Sequence, residues 1–102
     1  GVASDPRDGL RLKIIADPGD TTWFDLVIYN PGTSGPDSIF RDFILLPGES
    51  ETLTATGSFF FRTIGNAGGF TLELDGRRLP GLGPEGVVRK NITIDRDGIV
   101  RQ

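Results

Sequence analysis

The chain has 102 residues, 36% of them hydrophobic and 25% charged, which suits one modest core and leaves too little net charge to keep the chain unfolded. Neither Cys nor His occurs, and this excludes disulfides, thiolate metal sites and every nucleophile that depends on a Cys or His partner. Nucleic-acid binding is not expected, because residues 1–61 hold four basic and nine acidic side chains and residues 62–102 hold seven and five, with no dense basic stripe.

The first half of the chain alternates between short apolar runs and turn residues. Residues 1–9 predict a flexible lead-in, and the absence of an initiator Met indicates a piece of a longer protein. Residues 10–14 alternate apolar and polar side chains, as in a strand with one buried face. Residues 22–29 are apolar at both parities and predict a central strand covered on both faces.

A Pro- and Gly-rich turn at 30–36 separates this central strand from a mixed strand at 38–46. Pro47-Gly48 closes the mixed strand, because Pro presets the first central turn position and Gly tolerates φ > 0 at the second. Residues 51–55 alternate weakly, as in an exposed edge strand. An aromatic strand follows at 59–64, in which Phe59, Phe60 and Phe61 cannot all point the same way.

The glycine-rich segment 65–69 could cradle a phosphate, but such loops open a helix and often carry a Lys. A strand at 70–74 follows instead, so we expect a tight turn whose Gly residues supply φ > 0. Asp75-Gly76 is a strong hairpin signal, with a short return strand at 77–79. A last strand is predicted at 87–94.

Seven to nine short strands are therefore predicted, with turn signals every 8 to 12 residues. This pattern indicates an all-β domain over residues 10–95, between the lead-in and a frayed tail at 96–102. The expected architecture is a two-sheet antiparallel β-sandwich, Ig-like or closed toward a small barrel.

Two groups of side chains are candidates for binding. Arg77 and Arg78 at the hairpin, with Arg89 and Lys90 on the last strand, could form a basic surface for acidic groups. Solvated strand faces explain these four residues equally well. Tyr29 is a further candidate for contact with a partner.

Trp23 or Tyr29 could stack on a sugar if exposed, although a single Trp in a small domain is more often a core or interface anchor. The alternative function is therefore that of a carbohydrate-binding β-sandwich. A glycosidase that uses carboxylates alone would need a cleft, which a β-domain of this size hardly offers. The Asp pairs lie in Asp/Pro/Gly clusters typical of turns, so no catalytic residue, metal ligand or cofactor is assigned.

An ordered set of motifs covers most of the chain. The most specific is Ile64-Gly65-Asn66-Ala67, followed one strand later by Asp75-Gly76. The complete set comprises residues 10–14, 23, 46–49, 61–67, 74–79, 82–83 and 87–89. In this order the chain resembles the extracytoplasmic C-terminal domain of RodZ-type bacterial cell-shape proteins. The connection at 30–36 is longer than this family leads us to expect, which leaves the pairing of the third strand open.

The resemblance implies a non-catalytic protein-interaction module. RodZ-like proteins join a cytoplasmic helix-turn-helix domain, which contacts the filament protein MreB, through a transmembrane anchor to an all-β domain on the periplasmic side of the inner membrane. The anchor would lie upstream of this chain, and the partner would be a protein of the cell-wall elongation machinery or peptidoglycan. The motif residues have implied structural roles: Trp23, Gly48, Ile64, Gly65, Asn66, Ala67, Asp75 and Gly76.

Overall fold

Nine short strands make up the part of the chain that the computed structural model describes, residues 9–32 and 34–100. They are β1 (Leu10–Ala16), β2 (Thr22–Tyr29), β3 (Ser38–Leu45), β4 (Ser50–Ala55), β5 (Ser58–Ile64), β6 (Phe70–Leu74), β7 (Arg77–Arg78), β8 (Arg89–Asp95) and β9 (Gly98–Val100). No helix long and apolar enough to cross a bilayer occurs in these ranges.

The strands form two antiparallel sheets that pack against each other. Sheet A has the order β4-β1-β6-β7, and sheet B has the order β3-β2-β5-β8-β9. The two-sheet antiparallel β-sandwich is therefore confirmed, with a strand count at the upper end of the expected range. The strand expected at an edge, β4, is an edge of sheet A, and β2 lies inside sheet B as a central strand should.

The third strand, whose pairing the sequence left open, is the first strand of sheet B. It pairs with β2 in a continuous antiparallel register from Thr22↔Leu45 to Tyr29↔Ser38. The longer connection does not disturb this hairpin, because Asn30 N–H donates to Asp37 C=O at 2.6 Å and closes the loop at its base. Among the strands of the described residues β3 is thus an edge strand, with β2 as its one neighbour.

The C-terminal boundary differs from the prediction. Instead of a frayed tail after residue 95, the chain turns and adds β9, which pairs with β8 from Thr93↔Val100 to Asp95↔Gly98. The turn forms because the Asp95 carboxylate accepts a hydrogen bond from Asp97 N–H at 2.9 Å and Gly98 takes φ +107°. The last long strand also begins later than predicted, at Arg89. The lead-in at residues 1–8 lies outside the described residues.

The core lies between the sheets, where alternate side chains of each strand meet. Phe24 of β2 is the centre of an aromatic cluster, with ring centroids 5.3 Å from Phe43, 5.8 Å from Phe61 and 5.1 Å from Phe70. Since Phe70 belongs to sheet A, Phe24 joins the two sheets directly. The other large side chains that are fully buried are Leu10, Leu12, Ile14, Leu26, Phe59, Ile64, Leu74 and Ile94.

Replacing Phe24 by Ala should lower the free energy of unfolding by about 3–5 kcal/mol, because the cluster would lose its central ring and keep a cavity. Urea denaturation followed by far-UV circular dichroism measures this loss. The matched control is Phe40→Ala, at a ring that is 64% exposed, where a loss of about 1 kcal/mol or less is expected. Equal losses in the two variants would show that Phe24 is not the centre of the core.

Candidate functional site

The outer face of sheet B, turned away from sheet A, carries neighbouring apolar side chains. Trp23 of β2 lies beside Ile44 of β3. Val27 of β2 lies between Phe40 of β3 and Phe60 of β5. We call these five residues the outer apolar face. Trp23 is 45%, Ile44 61% and Phe40 64% exposed, and apolar neighbours on one face of a sheet are typical of a binding surface.

This arrangement corrects the expectation that β2 is covered on both faces. Its inner residues Phe24, Leu26 and Ile28 are buried, whereas Trp23 and Tyr29 are exposed. Residues 9–32 and 34–100 form two layers, and none of their elements covers the outer side of sheet B. Trp23 is accordingly not a core residue, and its exposure fits both an interface anchor and a ring on which a sugar could stack.

A charged pair separates the outer apolar face into two groups, Trp23 with Ile44 and Val27 with Phe40 and Phe60. The Nη2 and Nε atoms of Arg62 donate to Oδ1 of Asp25 at 2.7 and 3.2 Å. The same guanidinium lies over the Phe40 ring, 5.3 Å from its centroid. The β2–β5 register shifts at Asp25/Leu26, so that Arg62 forms a bulge in β5. Both partners are partly exposed, so the pair adds little stability and serves mainly to orient Arg62 over Phe40.

A second carboxylate stands next to this pair. Asp42 of β3 lies directly opposite Asp25 of β2, which places two acidic side chains across from each other on the same face. Arg62 is bound to Asp25, and within the described ranges Asp42 has no ion-pair partner. A cavity of about 500 Å³ adjoins it, lined by Trp23, Phe24, Asp42, Phe43 and Ile44.

Gly65 determines where the indole of Trp23 lies. Gly65 N–H donates to Trp23 C=O at 2.8 Å, and the indole packs so closely over Gly65 that a Cβ there would overlap Nε1. Gly65, Gly68 and Gly69 do not have positive φ, so the expected reason for these glycines was wrong. They permit close approach instead: a Cβ on Gly68 would overlap Glu85 N, and one on Gly69 would overlap the Asn66 side chain.

Asn66 and Ala67 connect three loops. The Asn66 side chain accepts a hydrogen bond from Gly86 N–H at 2.7 Å and donates one to Thr21 C=O at 3.3 Å. Ala67 N–H donates to Val87 C=O at 2.8 Å, and the Ala67 side chain is buried. The 65–69 segment is therefore a turn that ties the β1–β2 and β7–β8 connections together.

The other motif residues also have local structural explanations. Gly48 takes φ +80°, and Glu49 N–H donates to Leu46 C=O at 2.9 Å, which confirms the expected turn. Asp75 and Gly76 take φ +51° and +84°, which confirms the hairpin between β6 and β7. Ile64 is fully buried in the core.

The four basic candidates lie in two different sheets. Arg77 and Arg78 form β7 at the edge of sheet A, opposite Leu74 and Glu73 of β6. Arg89 and Lys90 begin β8 in sheet B, and Arg89 donates a hydrogen bond to Leu82 C=O at 2.7 Å. All four are exposed. Their grouping into one basic surface stays a prediction.

Tyr29 does not share a site with the basic pair of β8. It is 45% exposed and pairs with Ser58 at the beginning of β5, whereas Arg89 pairs with Ile64 at the end of β5. Tyr29 and Trp23 lie at opposite ends of β2, about 20 Å apart along the strand. The candidate aromatic residues therefore mark two separate positions on sheet B.

Of the outer apolar face only Trp23 was a sequence candidate; Phe40 and Ile44, its most exposed residues, and the neighbouring Arg62 were not. The signal that could have identified Phe40 and Ile44 is the strand 38–46 itself, which carries apolar residues at both parities although it follows a Pro-rich turn. An edge strand that is apolar at both parities leaves some of its apolar side chains exposed. Arg62 could be found only from the bulge, which depends on the pairing of β5.

No protein-family model matches the chain, no curated protein matches it, and no solved structure matches it. The resemblance to RodZ-type domains accordingly remains an inference from the order of the motifs.

Replacing Gly65 by Ala should displace the Trp23 indole, because the new Cβ would occupy its present position. We expect the tryptophan emission to shift to longer wavelength and acrylamide quenching to become faster. Gly81→Ala is the matched control, since a Cβ there has no neighbour within 4 Å and its emission should not change. Unchanged emission in Gly65→Ala would mean that the indole does not rest on Gly65.

Proposed function

We propose that this domain is a non-catalytic protein-interaction module that binds its partner through the outer apolar face. The observation that carries the proposal is the exposure of Trp23, Ile44 and Phe40, each at least 45% exposed, on one face of sheet B: Trp23 pairs with Ile44, and Phe40 pairs with Val27 on the far side of the Asp25/Asp42 pair. Aromatic residues and Arg are enriched at the centres of protein interfaces, where they supply most of the binding energy. Arg62 over Phe40 belongs to the same kind of surface.

The non-catalytic part of the proposal rests on the composition. Without His or Cys, catalysis would depend on carboxylates, Lys, Tyr or hydroxyl groups. The carboxylates nearest the outer apolar face, Asp25 and Asp42, lie on adjacent strands of a sheet, and one of them is paired with Arg62. In this proposal the two carboxylates belong to a contact surface and have no catalytic role.

The cellular role that we propose is that of the outer domain of a membrane-anchored scaffold for cell-wall elongation. It is supported by the ordered motifs that resemble RodZ-type proteins. Such a role would place the domain on the periplasmic face of the inner membrane, with a protein of the elongation machinery as its partner. The motif residues Gly48, Asn66 and Gly76 serve turns and loop contacts, which leaves the outer apolar face available for partner-specific contacts.

Carbohydrate binding is the second candidate function, and one observation favours it. Trp23 is exposed and lines the same cavity as Asp42, so an aromatic ring lies near a hydrogen-bonding carboxylate, as sugar-binding sites require. Cell-wall glycan would be the corresponding ligand.

Replacing Phe40 and Ile44 together by Ser in the gene of the source bacterium should produce wider or rounder cells, because the partner would lose its apolar contacts. Cell width is measured by microscopy, with expression confirmed by immunoblot. The matched control is Val87→Ser with Val88→Ser, which removes two exposed apolar side chains from a loop and should leave width unchanged. Normal cell width in the Phe40/Ile44 variant would show that the outer apolar face is not needed for cell shape.

Trp23 emission also distinguishes the two functions. If the partner is a protein, soluble peptidoglycan fragments should leave the emission unchanged, because no sugar stacks on the indole. A saturable blue shift that disappears in Asp42→Ala would instead favour the carbohydrate-binding function. Thr54→Ala, an exposed replacement on β4 of the other sheet, is the control and should behave like the wild-type protein in either case.

A further inference from the structure

β3 is the longest edge strand in the described part of the fold. It runs for eight residues and pairs with β2 without a bulge, and none of the nine described strands lies on its other side. The edge strands β7 and β9 have only two and three residues, and the six-residue β4 is mostly polar. Natural sheets shorten, bulge or cover their edges to prevent pairing with other chains. Within the described residues β3 is neither shortened, bulged nor covered, and its protection is limited to two charged residues at its centre, Asp42 and Arg41, of which Arg41 pairs with Glu51 of sheet A.

The direction of the free backbone groups on β3 follows from one hydrogen bond. Asn30 N–H donates to Asp37 C=O, so residue 37 directs its backbone groups toward β2. These groups alternate along an antiparallel strand, and those of Phe40, Asp42 and Ile44 therefore point away from β2. The same three residues carry their side chains on the outer face, so an added strand would extend that face.

The charge at the centre of β3 indicates what kind of strand would fit. Asp42 lies opposite Asp25, whose charge is already compensated by Arg62. A strand added beside β3 would place a side chain directly next to Asp42. A Lys or Arg there would compensate the second carboxylate, and side chains two positions away on either side would lie next to Phe40 and Ile44.

A second copy of this chain fits this edge poorly. Two copies paired edge to edge about a twofold axis perpendicular to the sheet keep their outer faces on the same side, so outer residues oppose outer residues. The two longest registers then place Arg41 opposite Arg41 or Asp42 opposite Asp42. Like charges directly opposite destabilise a strand pair.

We propose that β3 accepts an extended segment of a partner protein as an additional strand of sheet B. The segment carries a basic residue, with one apolar residue two positions before it and another two positions after it. All three side chains lie on the side of the segment that continues the outer apolar face. This inference rests on the proposed function and specifies its binding mode: main-chain hydrogen bonds supply affinity, and Asp42 with Phe40 and Ile44 supplies selectivity.

The test uses the 102-residue chain labelled with nitrogen-15 and the synthetic peptide acetyl-Ser-Val-Thr-Lys-Thr-Val-Ser-amide. On titration, the amide signals of Phe40, Asp42 and Ile44 should shift downfield and become protected from exchange. The amides of Arg41 and Phe43, already directed toward β2, should change little. A control peptide with Glu in place of Lys should bind about tenfold more weakly at low salt.

Two variants at one position separate backbone from side-chain binding. Asp42→Ala keeps the outward N–H. It should weaken the binding of the Lys peptide about three- to fivefold, and the amide signals of Phe40 and Ile44 should still shift. Asp42→Pro also removes the N–H, at an edge position that tolerates Pro, and should weaken binding about tenfold further. Equal binding by the two variants would overturn the proposal.

Peptides N-methylated on alternate residues provide the same comparison with the unaltered protein, whether or not Asp42→Pro folds. Methyl groups on the peptide amides that face β3 should abolish binding, and methyl groups on the amides that face away from β3 should not. The proposal would be overturned if the two sets of methylated peptides bound equally, or if millimolar peptide caused no amide shift. It would also be overturned if the chain formed a dimer in which the β3 amides are protected without peptide. If the Phe40/Ile44 variant still alters cell width, the proposed function survives and only strand addition fails.

Discussion

The alternation of side chains along β2 is the constraint on which the rest of the molecule depends. Phe24 sits among aromatic rings from both sheets, and this packing fixes which parity of β2 faces inward. A slip of one residue would bring Trp23 inward and expose Phe24, so the core and the outer apolar face cannot be set independently. The same register places Asp25 opposite Asp42 and Val27 opposite Phe40. The chemistry of the outer surface is thus a consequence of how the inner surface packs.

The loops support this arrangement through close backbone approach. Gly65 provides the surface on which the Trp23 indole rests, and the next residue, Asn66, binds two other connections through its amide group. The segment 65–69 therefore ends β5 and also determines the position of the exposed Trp23 ring. The Ile64-Gly65-Asn66-Ala67 part of the motif thus lies beside the candidate site although it contains no charged or nucleophilic side chain.

Local chemistry made much of the fold predictable. Asp75-Gly76 and Pro47-Gly48 specify their turns by backbone preference alone, and the alternation at 70–74 identifies its buried face. Features that depend on distant partners were missed. An apolar run such as 22–29 does not reveal how many layers cover it, the reason for Gly65 is the position of Trp23, and β9 is too short to recognise without β8. The candidate site was predictable only at Trp23, because Phe40, Ile44 and Arg62 acquire their roles from strand pairing.

The hairpin of β2 and β3 has a consequence for how the chain assembles. It joins eight residue pairs across a loop of residues 30–37, whereas in sheet A the partners of β1 are β4 and β6, which begin at residues 50 and 70. Closing a short loop costs less chain entropy than bringing distant segments together. Most of the outer apolar face belongs to this hairpin. The proposed binding surface is therefore built mainly from a long strand pair that can form without ordering of the remaining chain.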